Sequence, residues 1–435
     1  MPTGLSAAEH QALRIRIVGT EYFFPSRVGM PVNGATPGDL YNAVATDLAR
    51  KDTKWRKVQR CILHIGTEKT GSTSLQDCFG LNRRSFQSAG YFISQRLAPQ
   101  GTEGMLKHSY LASISMTDEK YDDDLRRQFQ MVDRESLARV RRRVFAEFAE
   151  EIAAAAIACR TAVLSDEHCH SRLMSLEEVQ NLKDFLDHFF ETYEIVVYLR
   201  PQHELAMSQY GMFVANGMYD IDMLPPLPPP ADYDKRTYTN RAYFDYQELL
   251  HRWGEVFGER SLRPRIYASN ELRGGDVVSD FVSELALVPA DFPAPKRRNS
   301  NISARAQAFL ISFYRCLGRQ DLAGAAMLRE RIRNATQTCF PGSGRVPNRG
   351  ELAAFLAQFR ASNEAVRAGW FPQRPQLFNV DMNDYPEENL SPADLGADEM
   401  MRMFCEVLLM DQELRFSLTP DALRRISAGL SPHGA

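Results

Sequence analysis

The chain has 435 residues, of which 44% are hydrophobic and 25% charged, and its formal net charge is −3 from 52 Lys and Arg against 55 Asp and Glu. This is ordinary globular composition, long enough for one large α/β domain with insertions or for two modest domains. The balanced charge gives no global argument for a nucleic-acid partner, and no apolar run approaches the roughly 18–20 residues of a membrane span.

The N-terminal MPTGLSAAEHQALRIRIVG lacks an apolar signal core flanked by positive charge. The seven cysteines, at 61, 78, 159, 169, 316, 339 and 405, are scattered, odd in number and never spaced as CxxC. Neither a disulfide framework nor a structural zinc is expected from them. The expectation is a soluble protein of a reducing compartment, the cytoplasm. Residues 1–58 show weak periodicity with several Gly and Pro and read as an N-terminal extension to one main domain, 59–435. The extension, with the basic run ending at Arg60, reads as packed on or flanking the core, with docking of an acidic substrate as the alternative role of the basic run.

CILHI, 61–65, is a short apolar run stopped by Gly66, as expected of a buried parallel strand. The loop Gly66-Thr67-Glu68-Lys69-Thr70-Gly71-Ser72-Thr73-Ser74 follows, and GSTSLQDCFGLNRRSF reads as the next helix. In the usual nucleotide-triphosphate loop a lysine directly follows the second glycine. Here Gly66 and Gly71 keep that spacing, but Ser72 takes the lysine position and Lys69 lies inside the loop. Backbone amides and a helix N-terminus still suit a phosphate.

Further on, residues 133–160 read as a long helix and TAVLSDE, 161–167, as a strand ending on polar residues. Ser175-Leu176-Glu177-Glu178 reads as a capping box opening the next helix. YEIVVYLR, 193–200, and LRPRIYAS, 262–269, are two further strands. Helices alternating with buried strands predict a doubly wound, mostly parallel sheet, with ligands at the carboxyl ends of its strands. A Pro-rich insertion, 219–240, reads as exposed, and residues 300–435 as a mostly helical C-terminal part.

Two anion-binding side chains are predicted together at the end of the 193–200 strand. Arg200 offers a bidentate fork, and Ser208, slightly over two helical turns later, a short hydroxyl donor.

The pattern GxxKTG[ST]T at 66–73, followed by Arg200 and Ser208, resembles sulfotransferases that use 3′-phosphoadenosine 5′-phosphosulfate (PAPS), in particular bacterial and glycan-directed members. The resemblance covers roughly residues 60–310 and implies a P-loop-type α/β fold. It implies PAPS as co-substrate, held by Gly66, Thr67, Lys69, Thr70, Gly71, Ser72, Thr73 and Ser74, with Arg200 and Ser208 on the 3′-phosphate. Arg297 and Arg298 in KRRNSNIS read either as further phosphate contacts or as solvated charges. No metal is required by this chemistry, although Asp166 and Glu167 are weighed as carboxylates. Lys69 would meet the bridging oxygen, and a general base is expected at Asp166-Glu167-His168-Cys169-His170. Glu167 is the first choice, then His168 and His170, with His108 of LKHSYL as a further option. Adjacent His168, Cys169 and His170 diverge and do not read as a zinc site. The acceptor is expected to be a glycan hydroxyl or a small hydroxyl compound. A P-loop kinase or NTPase and a non-catalytic glycan-binding protein are the rival readings.

Overall fold

The structure, a computed structural model, describes residues 13–17, 20–24, 36–50, 55–99, 104–218, 220–227, 240–294, 302–317, 325–388 and 395–410. Most of the Pro-rich insertion, the start of the basic run before Arg60, and Arg297 with Arg298 lie outside the described residues.

In chain order the elements begin with β1 (Leu13–Ile17), β2 (Thr20–Phe24), α1 (Pro37–Arg50), β3 (Val58–His64), α2 (Ser72–Leu81), α3 (Arg83–Ser88) and β4 (Tyr91–Ile93). They continue with α4 (Tyr110–Ser115), α5 (Asp124–Gln128), α6 (Arg134–Ala155), β5 (Thr161–Ser165), α7 (His168–Arg172), α8 (Leu176–Leu186) and β6 (Phe190–Leu199). Next come α9 (Gln202–Ala215), α10 (Arg241–Phe244), α11 (Tyr246–Phe257), β7 (Leu262–Ile266) and α12 (Val277–Glu284). The last five helices are α13 (Ala304–Leu317), α14 (Ala325–Cys339), α15 (Arg349–Ala357), α16 (Arg360–Trp370) and α17 (Ala397–Met410). The chain forms two compact units, Met1–Leu199 with Tyr246–Pro295, and Arg200–Asp245 with Lys296–Ala435.

The first unit holds a five-stranded sheet of order β4-β5-β3-β6-β7, every pairing parallel. A separate antiparallel hairpin, β1 with β2, lies in the stretch expected to be an irregular extension. Parallel strands need crossover connections, here helical, and the carboxyl-terminal residues of the inner strands β3, β5 and β6 are buried on both sides. On one face Ile62, Val163, Val196 and Tyr198 pack with Leu75 and Phe79 of α2 and with Val277, Val278 and Phe281 of α12. Elsewhere in the unit, Tyr41 of α1, Phe145 and Phe148 of α6 and Phe185 of α8 form an aromatic cluster, and Phe148 reaches Phe190 of β6 with ring centroids 6.1 Å apart. Each such fully buried ring contributes roughly 1.5–3 kcal/mol of burial.

Local chemistry explains the helix starts. Asp133 accepts from Ser136 N at 2.7 Å and Asp133 N donates back to Ser136 Oγ at 3.1 Å, which opens α6. Ser175 caps α8 through Glu178 N at 3.2 Å. The reciprocal half of the expected box differs, because Glu178 instead accepts from Met174 N at 2.9 Å and pairs with Lys120 at 2.5 Å. A buried carboxylate with an ammonium in reach does not turn back to its own cap.

The second unit, in its described residues, is helical. Tyr210 and Val214 of α9 join Phe309, Leu310 and Tyr314 of α13, Ile332 of α14 and Val407 of α17 in one core. Gln202 of α9 and Asn363 of α16 exchange amide hydrogen bonds at 2.7 and 3.1 Å.

Candidate active site

The loop 66–74 leaves β3 at His64 and is held by β6. Ile65 N donates to Val196 O at 3.0 Å, Thr67 N to Tyr198 O at 3.1 Å and Tyr198 N to Gly66 O at 2.7 Å. The Thr67 hydroxyl repeats the contact to Tyr198 O at 3.0 Å, and Thr70 Oγ1 donates to Thr67 O at 2.6 Å. Both threonines are buried, so they build the loop from inside. Lys69 stands at φ 61°, a left-handed backbone turn uncommon for a residue other than glycine.

Gly71 ends the loop at φ 81° with no side-chain cap, and the first intrahelical bond of α2 is Leu75 N to Gly71 O at 3.2 Å. The amides of Ser72, Thr73 and Ser74 therefore precede the helix ladder at its positive end, where an anion is favoured. A Cβ at Gly71 would meet Val277 Cγ1 at 2.7 Å and lie 3.4 Å from the Tyr267 hydroxyl, so glycine is required by both conformation and space. Thr73 is exposed, Ser74 half-buried and Ser72 buried.

Glu167, Lys107, Ser72 and Gln76 form one polar cluster at the end of β5. Lys107 Nζ donates to Glu167 Oε1 at 2.8 Å and Gln76 Nε2 to Oε2 at 3.1 Å. Burial alone would raise this carboxyl, but Lys107, His168 and the Ser72 hydroxyl outweigh it and hold it below the usual carboxylate range. Glu167 is thus an anion beside the loop. Its neighbour Asp166 is fully buried, accepts Ala112 N and His168 N at 3.0 Å each, and is pushed up by burial. It is a tie for the turn.

The histidines take other roles than their spacing suggests. His168 Nδ1 lies 3.5 Å from Glu68 Oε1, and His170 Nδ1 accepts from Glu68 N at 3.4 Å. The two together stitch α7 to the loop. Burial would raise the Glu68 carboxyl, yet His168 and Arg172 bring it well below its ordinary value. His108 is wholly buried with both ring nitrogens on backbone groups, Nδ1 accepting from Ser165 N at 2.8 Å and Nε2 donating to Ser94 O at 2.9 Å. Burial lowers its pKa to about 4, so it stays neutral and structural. Among the described residues no group of three or more His, Cys, Asp and Glu could hold a metal ion.

Arg200 and Ser208 belong to the second unit. Arg200 lies between the end of β6 and α9, Glu204 and Ser208 lie on α9, and Arg200 Nε meets Glu204 Oε2 at 3.0 Å. Behind them His203, lowered to about 4 by burial and by Arg200, meets Tyr385 Oη at 2.8 Å.

The residues that spacing alone misses are Lys107 and Gln76. Lys107 sits directly before His108 in a stretch with no regular period, so only the fold brings it to Glu167.

The first unit is an α/β fold in which the central strand of a parallel sheet opens through a glycine loop onto a helix with no side-chain cap. No family model matches the chain, and no curated protein matches it. Among solved structures, it is similar to a sulfotransferase from Alicyclobacillus acidocaldarius, at 16% identity over 72% of this chain and 96% of that one, with a TM-score of 0.34.

Proposed function

We propose that this protein transfers a sulfuryl group from PAPS to an acceptor hydroxyl, with a carbohydrate as the leading acceptor class. The observation that carries the reading is the placement of Lys69 inside a loop that ends on the open amides of Ser72–Ser74. A triphosphate loop places its lysine after the second glycine; a lysine within the loop suits a donor whose leaving oxygen bridges phosphorus and sulfur.

In the proposed reaction the acceptor oxygen attacks sulfur, the sulfur–oxygen bond to the 5′-phosphate breaks, and adenosine 3′,5′-bisphosphate leaves. As in phosphoryl transfer, charge grows on the leaving oxygen in a loose transition state. Lys69 and the α2 amides would neutralise it. The acceptor proton passes to Glu167, whose ionised state suits acceptance. A weakly basic carboxylate serves here, because a loose transition state asks for little proton transfer before the sulfur–oxygen bond breaks. His168 and His170 lie next in line as bases by sequence, but both face Glu68. Arg200 and Ser208 enter through the sequence, as contacts to the 3′-phosphate. The residues present supply this chemistry without a metal.

The test is transfer of radiolabelled sulfate from PAPS to a panel of glycans, phenols and small alcohols, alongside thermal shifts with PAPS and with ATP–magnesium. Stabilisation by ATP–magnesium alone would overturn the assignment in favour of a kinase or NTPase.

A further inference from the structure

We propose that Lys107 is a positioning residue whose charge keeps Glu167 anionic while an anionic donor occupies the neighbouring loop. The inference deepens the donor reading above and rests on it. Glu167 is bonded to Gln76 and Ser72, two residues one turn apart on the same helix whose first amides form the anion site. A carboxylate in that position lies in the field of any phosphate bound there. Two like charges so close either expel the ligand or force a proton onto the carboxylate. A compensating cation resolves the conflict, and Lys107 supplies it at 2.8 Å.

The lysine is held there by backbone. Leu106 N donates to Gln76 O at 3.0 Å, and His108 N donates to Ser165 O at 3.0 Å, so the residues on both sides of Lys107 are fixed, one to α2 and one to β5. The His108 ring adds its contacts to Ser165 N and Ser94 O. Gly80 of α2 makes the approach possible, since a Cβ there would fall 2.3 Å from Gly104 O. The pair is also largely shielded, with Lys107 23% and Glu167 15% exposed in their side chains, so solvent screens it less than a surface bridge. Other charged or titratable groups facing Glu167 are His168 on α7 and His64 on β3. His168 is already turned to Glu68, and His64 is kept neutral by burial. His168 adds to the pull on Glu167 while shared with Glu68, and Lys107 is the cation bonded to it.

The experiment is calorimetric binding of adenosine 3′,5′-bisphosphate at neutral pH to the full chain and to Lys107→Met, Lys107→Arg, Glu167→Gln and Lys107→Met/Glu167→Gln. Lys107→Met should weaken binding about tenfold through one uncompensated charge, and Lys107→Arg should bind as the parent does. The double variant should recover to within about twofold of the parent, because the two sites act on one charge. A double variant as weak as Lys107→Met, or a Lys107→Met that binds normally, overturns the proposal. In parallel, infrared difference titration of the Glu167 carboxylate without nucleotide should show its midpoint about one pH unit or more higher in Lys107→Met. An unmoved midpoint overturns it as well. If the parent fails to bind the nucleotide, the donor reading falls, and the infrared titration still decides whether Lys107 governs Glu167.

Discussion

Tyr198 and Asp280 meet at 2.8 Å, and through this bond the loop after β3 is braced by α12, the helix that shares the α2 face of the sheet. The backbone of Tyr198 carries Gly66 and Thr67, while its hydroxyl donates to a carboxylate that Arg265 grips at 2.6 Å with two nitrogens. Arg273 N adds a bond at 3.1 Å. The loop is therefore as rigid as this buried pair. Tyr198→Phe should cost about 1–3 kcal/mol, since one acceptor bond is lost and the others remain. Asp280→Ala should cost more than Tyr198→Phe, because the Tyr198 hydroxyl, the Arg273 amide and two Arg265 nitrogens all lose their acceptor and Arg265 keeps only Glu284, at 3.0 Å, among the described residues. Urea denaturation of both variants checks the order; equal losses would show that the tyrosine, not the ion pair, is the anchor.

Gly71→Ala should cost at least about 1–3 kcal/mol from its left-handed φ alone, and more from the clash with Val277. Adding Val277→Ala should relieve the clash but not the strain, so partial recovery of Tm is expected. Full recovery would mean that the positive φ is not demanding.

Lys69→Met should reduce sulfate transfer by about 10²–10³-fold, the size typical of one lost oxyanion donor, with Tm nearly unchanged. Undiminished labelling by this variant would remove the lysine from the mechanism.

Stability should decline as pH falls below about 6.5. His64 and His108 are both lowered from 6.5 to about 4 by burial. Between those values the unfolded chain takes up protons that the folded chain refuses, so folding weakens. Below 4.5 the depressed carboxylates Glu68 and Glu167 add to the loss, since their contribution is present above the unfolded value and disappears as they protonate. His108→Asn should flatten the slope between pH 6.5 and 4, measured as Tm against pH. An unchanged slope would show that His108 is not among the titrating groups.

In the second unit, Asn363→Ala should cost about 1–3 kcal/mol by leaving Gln202 with unmet buried bonds. Loss of less than a few tenths by chemical denaturation would show that water replaces the amide.

The parallel sheet was legible because residues of strands buried on both faces form continuous apolar runs, as at Cys61–Ile65 and Ile195–Leu199. β4 was not, since three residues, Tyr91–Ile93, are too few to carry a period. The loop and its lysine were readable from glycine spacing. The neighbourhood of Glu167 was not, because Lys107 reaches it across 60 residues of chain and no spacing rule connects them. His108 read as a further option for the base, and its two ring nitrogens are bonded to Ser165 N and Ser94 O. A histidine in sequence shows its ring but not what its nitrogens already hold.

The position of β3 at the centre of its sheet has a consequence for the order of folding. Its partners β5 and β6 begin at Thr161 and Phe190, and the loop it launches hangs on carbonyls at Val196 and Tyr198. The residues of the loop are thus synthesised long before the strands that give it shape. Such long-range parallel pairing is slow to form, and a nascent chain carrying the whole loop motif has no assembled site until β6 has emerged.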